Sequence, residues 1–349
     1  MIKKESTMSI KKAIVGSIIV VLGGVLLVPS VEATSSFHFP TDTLAITKKQ
    51  GTTTSIWKAD IYGHRIDADS LYLGKGAHSS AWSPDGRKLA YVKNDQLYVA
   101  SKNSEGRQLL HSPKGYQDSY PVWSPDGSKL VFVRTANDGR QAIYTATLHG
   151  AKTTNVSGWS DDTSYRSPSW SPQGDKLVYE QYSDSAARLL IKTLKTGDQT
   201  ILTELSDVTT SSDVSWSPSG KKILYKDSSN ETYTIWPDGS HRSVISDGDS
   251  YQASWSPSGD RIVFLEDPGD VSLSISEKDG TVVWLPIQKG NYAELANPTW
   301  SSDEDKIAFT MARTEGGRRS EDLFVLDLKG DTVQPLRVMK NVIGRADWR

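Results

Sequence analysis

The segment AWSPDGRKLAYV, residues Ala81 to Val92, returns as VWSPDGSKLVFV from Val122 and SWSPQGDKLVYE from Ser169. It returns again as SWSPSGKKILYK from Ser215 and SWSPSGDRIVFL from Ser254. No other feature narrows the possible folds as much, because a phrase repeated at a fixed period marks a repeat architecture. Each copy is an apolar strand ending in Trp, a tight turn, and a second strand of alternating β-branched and aromatic residues. Pro presets φ in the turn, the Asp carboxylate can cap local N–H groups, and Gly accepts positive φ.

A second mark follows each copy. An apolar strand runs into a Gly turn and then into another strand, as in AIYTATLHG to Gly150, LLIKTLKTG to Gly197, YTIWPDG to Gly239, LSISEKDG to Gly280 and LFVLDLKG to Gly330. Every unit is therefore four antiparallel strands, a to d. The recurring Trp residues are Trp82, Trp123, Trp170, Trp216, Trp255, Trp300 and Trp348, at six intervals of about 44 residues, the period of a four-stranded propeller blade. The sequence stops at GRADWR, an a strand with no successor, and starts its repeats with TDTLAIT, SIWKADIYG and DSLYLG, read as b, c and d strands. The last strand can complete the first blade and close the ring. The expected fold is all-β, one propeller of seven blades, with six or eight if a unit is misread.

The Trp residues read as wedges between blades, since a residue repeated at one position of every unit packs against its neighbours. Asp85 and Asp126 resemble acid catalysts only in isolation. Gln173, Ser219 and Ser258 hold the same position, so a carboxylate is dispensable there.

The phrase W-S-P-D-G-x-x-[LI]-[AV]-[FY] resembles the TolB-type, WD-like propeller repeat of bacterial envelope proteins and of the propellers of prolyl-oligopeptidase-type enzymes. The resemblance spans residues from about 40 to 349 and implies the fold, not a function. Three departures stand out. TolB itself carries an α/β domain before its blades, for which this sequence leaves no room; its propeller usually has six blades; and TWSSDEDKIAFT at Trp300 lacks both the Pro and the Gly of the turn.

Residues 1–33 are of another kind. Lys3, Lys4, Lys11 and Lys12 precede the apolar run AIVGSIIVVLGGVLLVP, with small residues following at Val31 and Ala33. This is the pattern of a cleaved signal peptide, or of an uncleaved membrane anchor, and either implies export. Residues 34–349 form the propeller domain. The chain has 40 basic and 42 acidic residues, which excludes the basic footprint of a nucleic-acid binder. With no Cys it has no disulfide, zinc–thiolate centre or cysteine nucleophile.

In an up-and-down blade the a–b and c–d turns share one face, and the d–a and b–c connections share the other. The first face is monotonous, whereas the second is individual from blade to blade, with loops such as SGWSDDTSYRSP, RTANDGRQ and the long b–c loop MARTEGGRRSED. Recognition is expected on the varied face. Its channel-mouth candidates are His78, Asp118, Tyr120, Tyr165, Arg166, Asp213, Tyr251, Gln252, Glu294, Asn297 and Arg345. Aromatic faces with Arg and carboxylates suit a protein segment or a glycan.

No cofactor motif is present. Asp161, Asp162, Asp247 and Asp249 could supply hard oxygen ligands for Ca²⁺, but outside the spacing of a calcium loop. There is no G-x-S-x-G elbow, H-E-x-x-H helix or phosphate-binding loop. Of six His, only His78 and His111 fall in d–a connections; His149 and His241 belong near c–d turns. The expected function is a non-catalytic binding or scaffold propeller of the bacterial cell envelope, taking an envelope protein or polysaccharide at the channel mouth. It would touch the membrane only through residues 1–33, if these stay uncleaved. The alternatives are a lyase-like glycan-active enzyme and a propeller subunit regulating a separate enzyme.

Overall fold

The computed structural model describes residues 43–62, 65–70, 73, 75–101, 107–110, 112–184, 186–205, 214–227, 231–246, 249–267, 271–285, 287, 290–329 and 334–348. The segment read as signal or anchor lies outside the described residues, and among these no helix is long and apolar enough to cross a membrane.

Seven four-stranded antiparallel sheets follow one another along the chain. Blade 1 combines the C-terminal strand Val342–Trp348 with Thr43–Gln50, Thr53–Tyr62 and Arg65–Ser70, pairing Leu44 with Trp348 and Thr47 with Ile343. The chain end thus supplies strand a of the first blade and closes the ring. In the other blades strands a and b are Ala77–Trp82 and Lys88–Lys93 (blade 2), Tyr116–Trp123 and Lys129–Ala136 (blade 3), and Ser164–Trp170 and Lys176–Tyr182 (blade 4). They continue as Ser215–Trp216 and Ile223–Lys226 (blade 5), Ser250–Trp255 and Ile262–Glu266 (blade 6), and Glu294–Trp300 and Lys306–Glu315 (blade 7).

Two segments depart from the sequence reading. Strand d of blade 1 is Arg65–Ser70, earlier than DSLYLG, because the pairing of Tyr62 with Arg65 turns the chain back at once. In blade 7, MARTEGGRRSED is mostly not a loop. Strands b and c (Arg318–Asp327) stay paired out to Glu315–Arg318, closed by Gly316 and Gly317 at φ of 57° and 77°. Two consecutive positive-φ residues make the two-residue turn whose twist matches a hairpin, so the ladder continues where a loop was expected.

The core lies between blades. Among the described residues, seven buried clusters each join two neighbouring blades, such as Val263, Leu265 and Leu273 with Trp300, Phe309 and Phe324 between blades 6 and 7. The aromatic residue of the repeated phrase is at the centre of blades 2 to 7: Tyr91, Phe132, Tyr179, Tyr225, Phe264 and Phe309 are all at most 1% exposed.

Ring closure is also written into hydrogen bonds of the Trp. The indole N–H of Trp123 donates to Ala81 O (2.8 Å), Trp170 to Val122 O, Trp255 to Ser215 O, Trp300 to Ser254 O and Trp348 to Thr299 O. In each pair the acceptor is the residue just before the Trp of the preceding blade. Trp216 instead donates to Gly220 O in its own turn, and the buried Trp82 Nε1 has no partner among the described residues.

The turns interlock too. A Cβ on Gly127, Gly174, Gly220 or Gly259 would meet Pro Cδ of the preceding turn, at Pro84, Pro125, Pro172 and Pro218 respectively. Inside each turn the Ser after Trp is buried, and its hydroxyl accepts the N–H five residues on, as Ser83 does from Lys88 and Ser301 from Lys306. Blade 7 keeps this geometry without Gly. Glu304 takes the left-handed position at φ 59°, accepts Ser258 N–H (2.5 Å) and pairs with Arg261 (2.9 Å) in blade 6.

Candidate binding face at the channel mouth

Strands a of blades 7 and 1, 1 and 2, 2 and 3, 4 and 5, and 6 and 7 touch one another, which puts these strands at the centre of the ring. Each described one except the short strand of blade 5 is interrupted by a β-bulge. The extra residue lies three positions before Trp and adopts a left-handed conformation: Ser79, Tyr120, Ser167, Gln252 and Asn297, at φ between 52° and 57°. In blade 1 the left-handed residue is Gly344, beside Arg345. The bulge leaves one residue unpaired and re-aims it. One backbone device therefore presents Ser, Tyr, Gln or Asn at the same place in five blades.

The expected site residues fall into three groups. Tyr120, Gln252 and Asn297 occupy the bulge itself, and Tyr120 is 66% exposed. Gln252 Oε1 accepts the Asn297 N–H at 2.6 Å, and Asn297 Nδ2 donates to Thr310 Oγ1. His78 and Arg166 immediately precede bulge residues. His78 Nδ1 lies 2.9 Å from Ser79 Oγ, and burial lowers its pKa despite nearby Asp95. Arg166 pairs with the buried Glu180 at 2.7 Å and lies over the Tyr182 ring. Tyr251 carries the Lys226 ammonium 5.5 Å from its ring centre; burial, aided by Asp267, Asp249 and Glu294, raises its pKa.

The second group is scaffold. Asp118, 1% exposed, binds Arg134 through both oxygens (2.7 and 2.9 Å) and accepts the Ser112 hydroxyl. Tyr165 is buried against Tyr179, its hydroxyl accepting from Gln181. Glu294 lies at the exposed rim in an ion pair with Arg319. The third group lies elsewhere. Asp161 pairs with Arg140 at 2.5 Å, Asp162 and Asp249 are exposed, and Asp213 and Asp247 lie outside the described residues, as do His38, His64 and His111. Among the described residues, no three His, Asp or Glu side chains stand close enough to share a metal ion.

A cavity of about 210 Å³ opens on the channel wall between strands a of blades 5 and 6. Its lining includes Ser215, Trp216, Pro218, Ser254 and Trp255, with Arg345 reaching in while its Nη2 donates to Pro298 O. It extends toward the repeated turns rather than the varied rim, and Arg345 is the one expected site residue in its lining. Sequence reasoning missed this cavity and the bulge. The constant three-residue spacing to Trp was the one signal that could have revealed the bulge, because positive φ at Ser, Tyr or Gln has no sequence mark.

A closed ring of seven four-stranded blades, with uniform turns on one face and bulge residues on the innermost strands, defines a β-propeller. Residues 35–259 match the model of the TolB beta propeller domain, and the chain belongs to that family. The solved structures share the fold. An oligogalacturonate lyase in complex with manganese has TM-score 0.61 at 15% identity, over 85% of this chain and 84% of that one. A putative TolB from Agrobacterium tumefaciens has TM-score 0.51 at 20% identity, over 70% and 87%. A puromycin-hydrolyzing peptidase from Mycobacterium tuberculosis has TM-score 0.61 at 13% identity, over 86% of this chain but 54% of the peptidase. No curated protein matches significantly.

Proposed function

We propose that this chain is a non-catalytic binding propeller of the bacterial cell envelope, which holds a protein segment or envelope polymer at the mouth formed by d–a and b–c connections. Export rests on the charged and apolar pattern of residues 1–33. The observation that carries the binding reading is the bulge ring. The backbone is repeated while the side chain changes from Ser79 to Tyr120, Ser167, Gln252 and Asn297, which is how a rigid frame encodes recognition. Tyr120 is its natural anchor, a large aromatic left 66% exposed with a polar tip.

Charge arrangement favours binding over acid–base chemistry. Arg134 occupies Asp118 and Arg166 occupies Glu180, which ties these two buried carboxylates into the frame. A free general base must instead reach the reacting proton.

Site-specific photo-crosslinking in intact cells tests the reading. A photoreactive residue in place of Tyr120 gives a discrete adduct that is missing when the same residue replaces Ser219 on the turn face. Equal adducts from both positions would overturn the assignment of the varied face.

A further inference from the structure

In two seams of the ring the side chain just before one Trp accepts the backbone N–H of the next Trp. Asp347 does so from Trp82 at 2.5 Å, and Ser169 from Trp216 at 3.0 Å. Ser215 of blade 5 holds the same place before Trp255 of blade 6. Its buried Oγ, however, has no hydrogen-bond partner among the described residues, and the cavity of about 210 Å³ is lined by both Ser215 and Trp255. A hydroxyl and an N–H that meet between blades 4 and 5 therefore stand apart between blades 5 and 6.

We propose that the cavity between blades 5 and 6 binds a small organic carboxylate, whose oxygens pair with the Arg345 guanidinium and take the Ser215 hydroxyl and the Trp255 N–H as further donors.

The charge comes from another blade. Arg345 belongs to strand a of blade 1, and it is the one cation among the seven residues that stand three positions before the recurring Trp. Its Nη2 donates to Pro298 O of blade 7 at 2.8 Å, which orients the guanidinium where it lines the cavity. Ser254 adds a second hydroxyl, Val214 and Ala253 add apolar wall, and no described lining residue is acidic. A cation with hydroxyl and N–H donors and no carboxylate selects an anion. The planar fork of Arg matches the two oxygens of a carboxylate, and the apolar wall suits the carbon that carries it. A buried hydroxyl without a partner costs free energy, which a bound oxygen would recover. The cavity extends toward the repeated turns, so this site is separate from the varied mouth.

Titration calorimetry of the full chain with N-acetylglycine, and with its uncharged twin N-acetylglycinamide, tests the site. The carboxylate is expected to bind saturably in the millimolar range and the amide not to bind. Arg345→Met should weaken binding about tenfold or more through loss of charge-assisted bonds, and Arg345→Lys should restore only part of it. Ser215→Ala should weaken binding about fivefold yet leave the Tm of the free protein equal or higher, because the unpartnered hydroxyl is gone. Equal binding of the two probes, no binding into the tens of millimolar, or full affinity in Arg345→Met would overturn the proposal. Inorganic phosphate binding as tightly would overturn the choice of a carboxylate. The readout does not involve Tyr120, so its failure is distinct from a failure of the varied mouth.

Discussion

The Glu304 carboxylate meets the Arg261 guanidinium at 2.9 Å from a backbone angle of +59°, joining the one turn without Pro or Gly to the blade before it. The left-handed angle costs roughly 1 kcal/mol for a non-Gly residue, and the contacts to Arg261 and Ser258 N–H offset it. Glu304→Ala keeps the angle and loses the contacts, so it is expected to destabilise by about 1–2 kcal/mol. Glu304→Gly relieves the angle as it loses them, and should lie between the two. Denaturant unfolding gives the order, and a Gly variant less stable than the Ala variant would contradict it.

Gly259 and Gly280 both have positive φ, 75° and 86°, but only Gly259 touches a neighbouring turn. A Cβ there would meet Pro218 Cδ at 3.2 Å, whereas Gly280 faces open space. Gly259→Ala should therefore cost about 1 kcal/mol more than Gly280→Ala. Equal costs in chemical unfolding would remove the claim that adjacent turns interlock.

Trp123 donates its indole N–H to Ala81 O, and the Trp82 indole finds no acceptor among the described residues. Replacement by Phe removes similar packing from each site but a hydrogen bond from one. Trp123→Phe is expected to be the more destabilising by about 1 kcal/mol. Calorimetry of the two single variants measures the difference directly.

Asp126 sits in the blade 3 turn, where first the Ser124 hydroxyl and then the Ser128 N–H and hydroxyl push its pKa down from 3.8 to about 2. A depressed carboxylate contributes stability that is present above pH 4 and lost as pH falls toward 2. Asp126→Asn should flatten that part of the acid limb of the stability curve. An unchanged limb would show that the turn does not favour the charged form.

Tyr120→Ala is expected to weaken ligand capture at the mouth and leave Tm nearly unchanged, because the side chain is mostly exposed. Tyr165→Ala should do the reverse, since Tyr165 is buried against Tyr179. A thermal shift for each variant, read beside the crosslinking yield at the mouth, separates anchor from scaffold.

Architecture was legible because it is periodic. The Trp spacing announced four-stranded units, and the strand types at the two ends announced that Trp348 would complete the blade begun at Thr43. Within the phrase, the aromatic residue after the turn had to be core, as Tyr179 and Phe264 are. The role of the Ser in each turn was not legible. Its hydroxyl accepts a bond five residues away, which depends on how the two strands meet. The site was read unevenly for the same reason. Proximity in sequence to a d–a loop put Asp118 and Tyr120 side by side as candidates, yet one is 1% exposed and the other 66%. Asp118 faces Arg134 on the next strand, and two residues later the bulge turns the backbone toward the channel.

The sequence by itself determined the all-β class, the repeat, the closing strand and the face that varies, because each depends on residue type at a fixed spacing. Only the tertiary structure decided which blade meets which, where the bulge aims each inner residue, and that Asp347 would bind Trp82 across the seam. Those facts join residues 265 positions apart, and separations of that kind are set by the curvature of the closed ring rather than by any local pattern.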